Sequence, residues 1–170
     1  MNSNVKLYSL SLRDVRTYAF AALFIVGNIV FPQLCHALMP KGGLIFLPIY
    51  FFTLIGAYKY GAKVGLLTAL LSPIINSAFF GMPPVSALPM IVMKGVLLAC
   101  AASVIANRTK SVSILALLAV VLMYQVVGCG IEWAVKGSFM AGVQDFRLGV
   151  PGMLIQVIGG WAFIKFILKK

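Results

Sequence analysis

Residues 122–136 read Leu-Met-Tyr-Gln-Val-Val-Gly-Cys-Gly-Ile-Glu-Trp-Ala-Val-Lys and close a long apolar run. Glu132 inside this run is one of only three acidic residues in the chain. A carboxylate in hydrocarbon is costly and normally faces a cavity or a partner. On a helix, Gln125, Gly128 and Glu132 fall at i, i+3 and i+7 and so share one face. That face is expected to line a binding site. The alternative places Glu132 at the membrane interface, solvated or paired with Lys136 one turn on.

Composition sets the class. Of 170 residues, 62 % are hydrophobic and 10 % charged, and the mean hydropathy is +1.04. A soluble domain of this size does not need so much apolar side chain, so the chain is expected to be an all-α integral membrane protein. About 20 apolar residues cross a bilayer. Six spans fit, at 13–31, 44–58, 62–80, 88–107, 112–135 and 151–167, forming a single membrane domain over 1–170. The first is expected to end at Pro32, and Pro48 is expected to kink the second or occupy its first turn. The third carries Ser72-Pro73 and Asn76. Proline there frees a carbonyl that a neighbour or water must satisfy, so this segment either lines a cavity or bonds another helix. Gly61 and Gly65 are spaced for close packing of the second and third helices.

No Walker-type phosphate loop is present, so any ATP-driven transport needs a separate ATPase. The formal charge of +11 comes from 14 basic and three acidic residues. The bases lie between apolar runs, which points to membrane topology and anionic lipid, and away from nucleic acid. Six spans put ten bases on the side of both termini (Lys6, Arg13, Arg16, Lys59, Lys63, Arg108, Lys110, Lys165, Lys169, Lys170) and four on the other (Lys41, Lys94, Lys136, Arg147). Both termini are therefore expected in the cytoplasm and the protein in the inner, cytoplasmic membrane, multi-pass. The first residues lack the apolar core and cleavage site of a signal peptide, so the first apolar run is expected to remain as a helix.

Lys94 lies ~9 Å inside the fourth span from its outer end, and Glu132 ~6 Å inside the fifth, at 1.5 Å per residue. Opposite charges at similar depth on consecutive antiparallel helices suit a Lys94–Glu132 pair; the alternative is that Lys94 reaches up to the headgroups. Such a pair also suits a polar solute, with Tyr124, Trp133, Asn76 and Gln125 around it. Trp133 and Trp161 fit equally well in an interfacial belt. There is no Ser/His/Asp grouping, no H-E-x-x-H and no second acid near Glu132 in sequence, so no enzyme is expected. Cys35, Cys100 and Cys129 make no C-x-x-C pair. Cys35-His36 falls short of a metal site, and no metal or cofactor is expected. The alternatives are an assembly protein without a solute, and a corrinoid or haem carrier using Cys35 or His36.

The stretch from Leu47, Leu-Pro-Ile-Tyr-Phe-Phe-Thr-Leu-Ile-Gly-Ala-Tyr-Lys-Tyr-Gly-Ala-Lys-Val-Gly-Leu-Leu-Thr, followed by Gly81-Met-Pro-Pro, resembles the substrate-binding S components of energy-coupling factor (ECF) transporters. The match covers that family's second helix, its glycine-bearing turn and the outer turn after the third helix. Size, six spans, cytoplasmic termini and basic character agree along the chain. The resemblance implies high-affinity binding of a vitamin or related micronutrient in the outer half of the membrane, beneath the connections 33–43, 81–87 and 137–150. It also implies docking through small residues of the first helix onto a separate membrane scaffold subunit driven by ATPases. Here only Thr17 and Ala21 keep the small spacing, since Ile25 and Val26 follow Ala21 and Ala22 by four.

Overall fold

The structure, a computed structural model, describes residues 5–169. The described residues form helices joined by irregular segments, without a strand. Five helices are long and apolar enough to cross a membrane: α1 (Val15–Leu38), α4 (Ala62–Phe80), α5 (Leu88–Thr109), α6 (Ile114–Lys136) and a terminal helix (Val150–Ile167). Between them lie the short α2 (Gly42–Phe46), a 3-10 turn (Pro48–Tyr50) and α3 (Phe51–Tyr60). Two small helices, α7 (Phe139–Gly142) and α8 (Gln144–Leu148), connect α6 to the terminal helix.

α1 begins where Asp14 caps it, accepting from the Arg16 backbone N–H at 2.9 Å. The Arg16 guanidinium bonds the same carboxylate and holds it below its usual value. The helix does not end at Pro32, as the sequence predicts; it runs on to Leu38 with Pro32 inside. Proline removes the N–H that would serve the carbonyl four residues back, here that of Asn28. Asn76 Nδ2 on α4 donates to that carbonyl at 2.8 Å, so the helix continues without an orphaned acceptor.

The second predicted helix, 44–58, is broken. Leu47 sits in the left-handed region (φ 46°, ψ 44°) and separates α2 from the 3-10 turn. Pro48 occupies the first position of that turn, where its missing N–H costs nothing. α3 is only ten residues long and almost wholly buried. It packs against α1, α4, α5 and the terminal helix at the centre of the bundle. Leu47 itself is 3 % exposed, so protein surrounds this irregular backbone.

Gly61 turns the chain from α3 into α4 with φ 98°, a conformation that side chains rarely adopt. On the next turn Gly65 lies directly against Ala57, and a Cβ there would collide with the alanine methyl. The close packing expected of these two helices is thus carried by Gly65. The remaining helices start and stop within two residues of their expected bounds. The N-terminal segment runs along the end of α3, with Tyr8 N–H on the Lys59 carbonyl (2.8 Å) and Leu10 N–H on that of Tyr60 (3.1 Å). This end also gathers the α5–α6 turn, through Tyr58 Oη donating to the Ser111 carbonyl. The α1–α2, α4–α5 and α6–terminal connections gather at the opposite end, where two adjoining cavities open.

Candidate solute-binding site

α5 and α6 run antiparallel, and Gly128 lets them approach at the level of Lys94. The lysine stem lies across Gly128, where a Cβ would stand 2.9 Å from Lys94 Cγ. Its ammonium reaches Glu132 Oε2 at 2.5 Å and Asp145 Oδ2, on α8, at 2.6 Å. Glu132 Oε1 accepts from Lys136 Nζ at 2.5 Å. Glu132 is therefore paired twice, by Lys94 across the helices and by Lys136 along α6. Lys94 is 1 % exposed and does not reach for the headgroups. Two ammonium and two carboxylate groups sum to zero, which lowers the cost of holding them away from water.

This quartet walls a cavity of about 220 Å³, bounded on its other sides by α2 and the Pro48–Tyr50 turn. Beside it lies a larger one of about 400 Å³, between the end of α1 and the Met82–Pro84 turn. The two share Gly43, Leu44, Ile49, Ala87 and Ile91 as a common wall. Together they fall within the range of small-molecule sites.

Tyr50 borders the smaller cavity, and its ring tilts against Tyr124 at 5.6 Å between centroids. Tyr124 donates to Gln156 Oε1 at 3.0 Å. Gln156 rides on a π-helical turn of the terminal helix, Ile155–Gly159. Four buried polar atoms have no partner among the described residues: Tyr50 Oη, both amide atoms of Gln125 and Gln156 Nε2. Such groups each cost free energy unless something else satisfies them.

No protein-family model, curated protein or solved structure matches this chain.

The residues expected to form the site separate into four groups. Glu132 and Lys94 form its charged wall. Gln125 and Tyr124 lie on the same buried face of α6, toward the bundle interior. Asn76 is 1 % exposed and borders the larger cavity, while also bonding the Asn28 carbonyl and Gln33. Trp133 lines neither of these two cavities. One residue past Glu132, it is turned about 100° around α6, is 51 % exposed and meets Phe139 edge-on at 5.5 Å. It borders a separate apolar cleft with Val126, Val143 and Phe146. Trp161 stacks under Lys165 Nζ at 4.5 Å.

Thr17 and Ala21 are buried within the chain, and Thr17 Oγ1 donates to the Ser11 carbonyl at 2.6 Å. α1 instead exposes Tyr18, Ala22 and Val26. His36 borders the larger cavity, whereas Cys35 is buried with its carbonyl against Gly42. Among the described residues no three His, Cys, Asp or Glu side chains are grouped to hold a metal ion.

Three contributors escaped the sequence reading. Asp145 is distant from Glu132 in sequence, yet α8 folds it onto the same ammonium. Tyr50 and Gln156 carried no signal, because their neighbours are uniformly apolar.

Proposed function

We propose that the chain is a membrane-embedded binding subunit for uptake of a vitamin or related small micronutrient, of the kind found as the S component of ECF transporters. The observation that carries this reading is the Lys94–Glu132–Asp145 cluster on the wall of a cavity that Tyr50 also lines, with the Tyr50 hydroxyl buried and unpartnered among the described residues. A purely structural interior gains by replacing such a hydroxyl with phenylalanine. Its retention on a residue that lines a cavity supports a ligand that accepts or donates there.

In this reading α1, the segment 48–60, α4, α5, α6 and the terminal helix make six crossings of the cytoplasmic membrane. The basic end, with Lys6, Arg13, Arg16, Lys59 and Lys63, faces the cytoplasm. The cavities then open to the outside. The protein is not an enzyme; it hands its solute on with the help of a separate membrane scaffold subunit and ATPases. α1 docks on that scaffold through the small and apolar residues that it exposes.

One observation favours a second reading, an assembly protein without a solute: the quartet is already charge-balanced. Native mass spectrometry of the detergent-purified protein decides between them. A stoichiometric small-molecule adduct supports the binding subunit. An empty spectrum, together with no thermal stabilisation by a panel of vitamins, sinks it.

A further inference from the structure

The two adjoining cavities differ in chemistry, and that difference defines a ligand class. The larger one is walled almost entirely by apolar side chains, among them Pro32, Pro48, Met82 and Pro83. The smaller one carries all four charges of the quartet and is also lined by Tyr50. Ile49 and Ile91 belong to both walls, so one molecule can lie across them. The larger space suits an apolar, ring-sized body, and the smaller one its polar head.

Charge restricts the head further. Lys94 is committed to Glu132 and Asp145, and Glu132 to Lys136. A head of net charge, either sign, unbalances this buried set, and a phosphate ester does so twice over. A zwitterionic head exchanges partners within the quartet without changing its sum, and an uncharged amide adds none. We infer that the ligand of this site is a two-part molecule, an apolar ring body joined to a zwitterionic or uncharged hydrogen-bonding head, and that phosphorylated and singly charged forms are rejected. This rests on the proposed binding function and specifies its substrate class.

The test uses four probes with one ring and four heads: tryptophan (zwitterion), indole-3-propionamide (neutral), tryptamine (cation) and indole-3-propionate (anion). Binding to the full-length protein in detergent is read by native mass spectrometry and by thermal shift at millimolar probe. The zwitterion and the amide are expected to bind at least tenfold tighter than the cation and the anion. Ile91→Trp, which fills the shared wall without touching a charge, is expected to abolish binding of all four. Asp145→Asn leaves the quartet at +1 and is expected to raise affinity for the anion about tenfold. Lys136→Gln leaves it at −1 and is expected to favour the cation, by less, because Lys136 is half-exposed. Equal or tighter binding of the anion or the cation to the unaltered protein overturns the inference, as does binding of none of the four. A co-purified adduct does not depend on these probes. A co-purified phosphate ester would thus leave the binding function standing while removing this ligand class.

Discussion

Asn76 Nδ2 donates to the Asn28 carbonyl at 2.8 Å, across the α1–α4 interface, and this is the carbonyl that Pro32 deprives of its helical partner. Asn28 in turn directs its own amide at both α3 and α4. Its Nδ2 reaches Thr53 and Ser72 hydroxyls at 3.0 and 3.2 Å, and its Oδ1 accepts the Phe52 N–H at 3.1 Å. Three helices are thus joined by a polar knot in which proline's missing bond is made good by a neighbour. The knot sits beneath the larger cavity and fixes where α1 continues past Pro32 toward His36.

Asn76→Ala removes the donor and leaves the Asn28 carbonyl unsatisfied. The expected cost is about 1–3 kcal/mol, read as a lower thermal midpoint in detergent. Asn76→Leu, which fills the space but cannot donate, should lose about as much. If either variant matches the unaltered protein in stability, the bond does not support α1 beyond Pro32.

Much of the charged wall was legible in the sequence, and the reason is physical. Lys94 and Glu132 stand out because a charge in an apolar run has few tolerable explanations. Their similar depth on consecutive helices then suggests the partner. Asp145 was not legible, because an acid in a polar connection is ordinary until α8 folds it inward. Tyr50 and Gln156 lie in apolar runs, where an aromatic or amide reads as core or as a helix contact. The break at Leu47 was hidden for another reason. Left-handed leucine has no sequence signature, and α3 is short because the break at Leu47 and the turn at Gly61 bound it. Trp133 shows the limit of a helical-face argument: adjacency to Glu132 in sequence puts it on a different face.

Breaking the quartet should be costly and non-additive. Lys94→Met leaves Glu132 and Asp145 facing one another without their shared cation, at an expected cost of about 3–5 kcal/mol. Lys94→Met combined with Glu132→Gln removes charges of both signs. It should recover part of the loss, giving a coupling energy above about 0.5 kcal/mol in a double-mutant cycle. Strict additivity in denaturation measurements would show that the two residues do not act as a pair. Glu132→Gln alone should also weaken solute binding at least tenfold, about 1.4 kcal/mol.

Close approach of α3 and α4 depends on Gly65. Its missing side chain lets the Ala57 methyl occupy the space where a Cβ would otherwise be. Gly65→Ala should therefore push the two helices apart at an expected cost of about 1–3 kcal/mol, the range for overpacking a filled interior. Gly130, whose added Cβ would meet nothing, is the matched control on α6. Equal thermal midpoints for Gly65→Ala and Gly130→Ala would refute the close contact.

The unpartnered groups separate structural from functional polarity. Tyr50→Phe deletes a hydroxyl that bonds nothing among the described residues, and Gln125→Leu deletes an amide in the same condition. In the solute-free protein each change removes a desolvation cost, so stability should hold or rise by about 1 kcal/mol. If the proposed binding function is right, the same variants should bind the solute at least tenfold more weakly, because the bonds they delete are made only in the complex. Tyr124→Phe is the contrasting case. Its hydroxyl already bonds Gln156, so its loss should lower stability first. Stability measured by thermal unfolding and affinity measured by titration must move in opposite directions for Tyr50 and Gln125. If both fall together, these groups hold the fold and do not meet the solute.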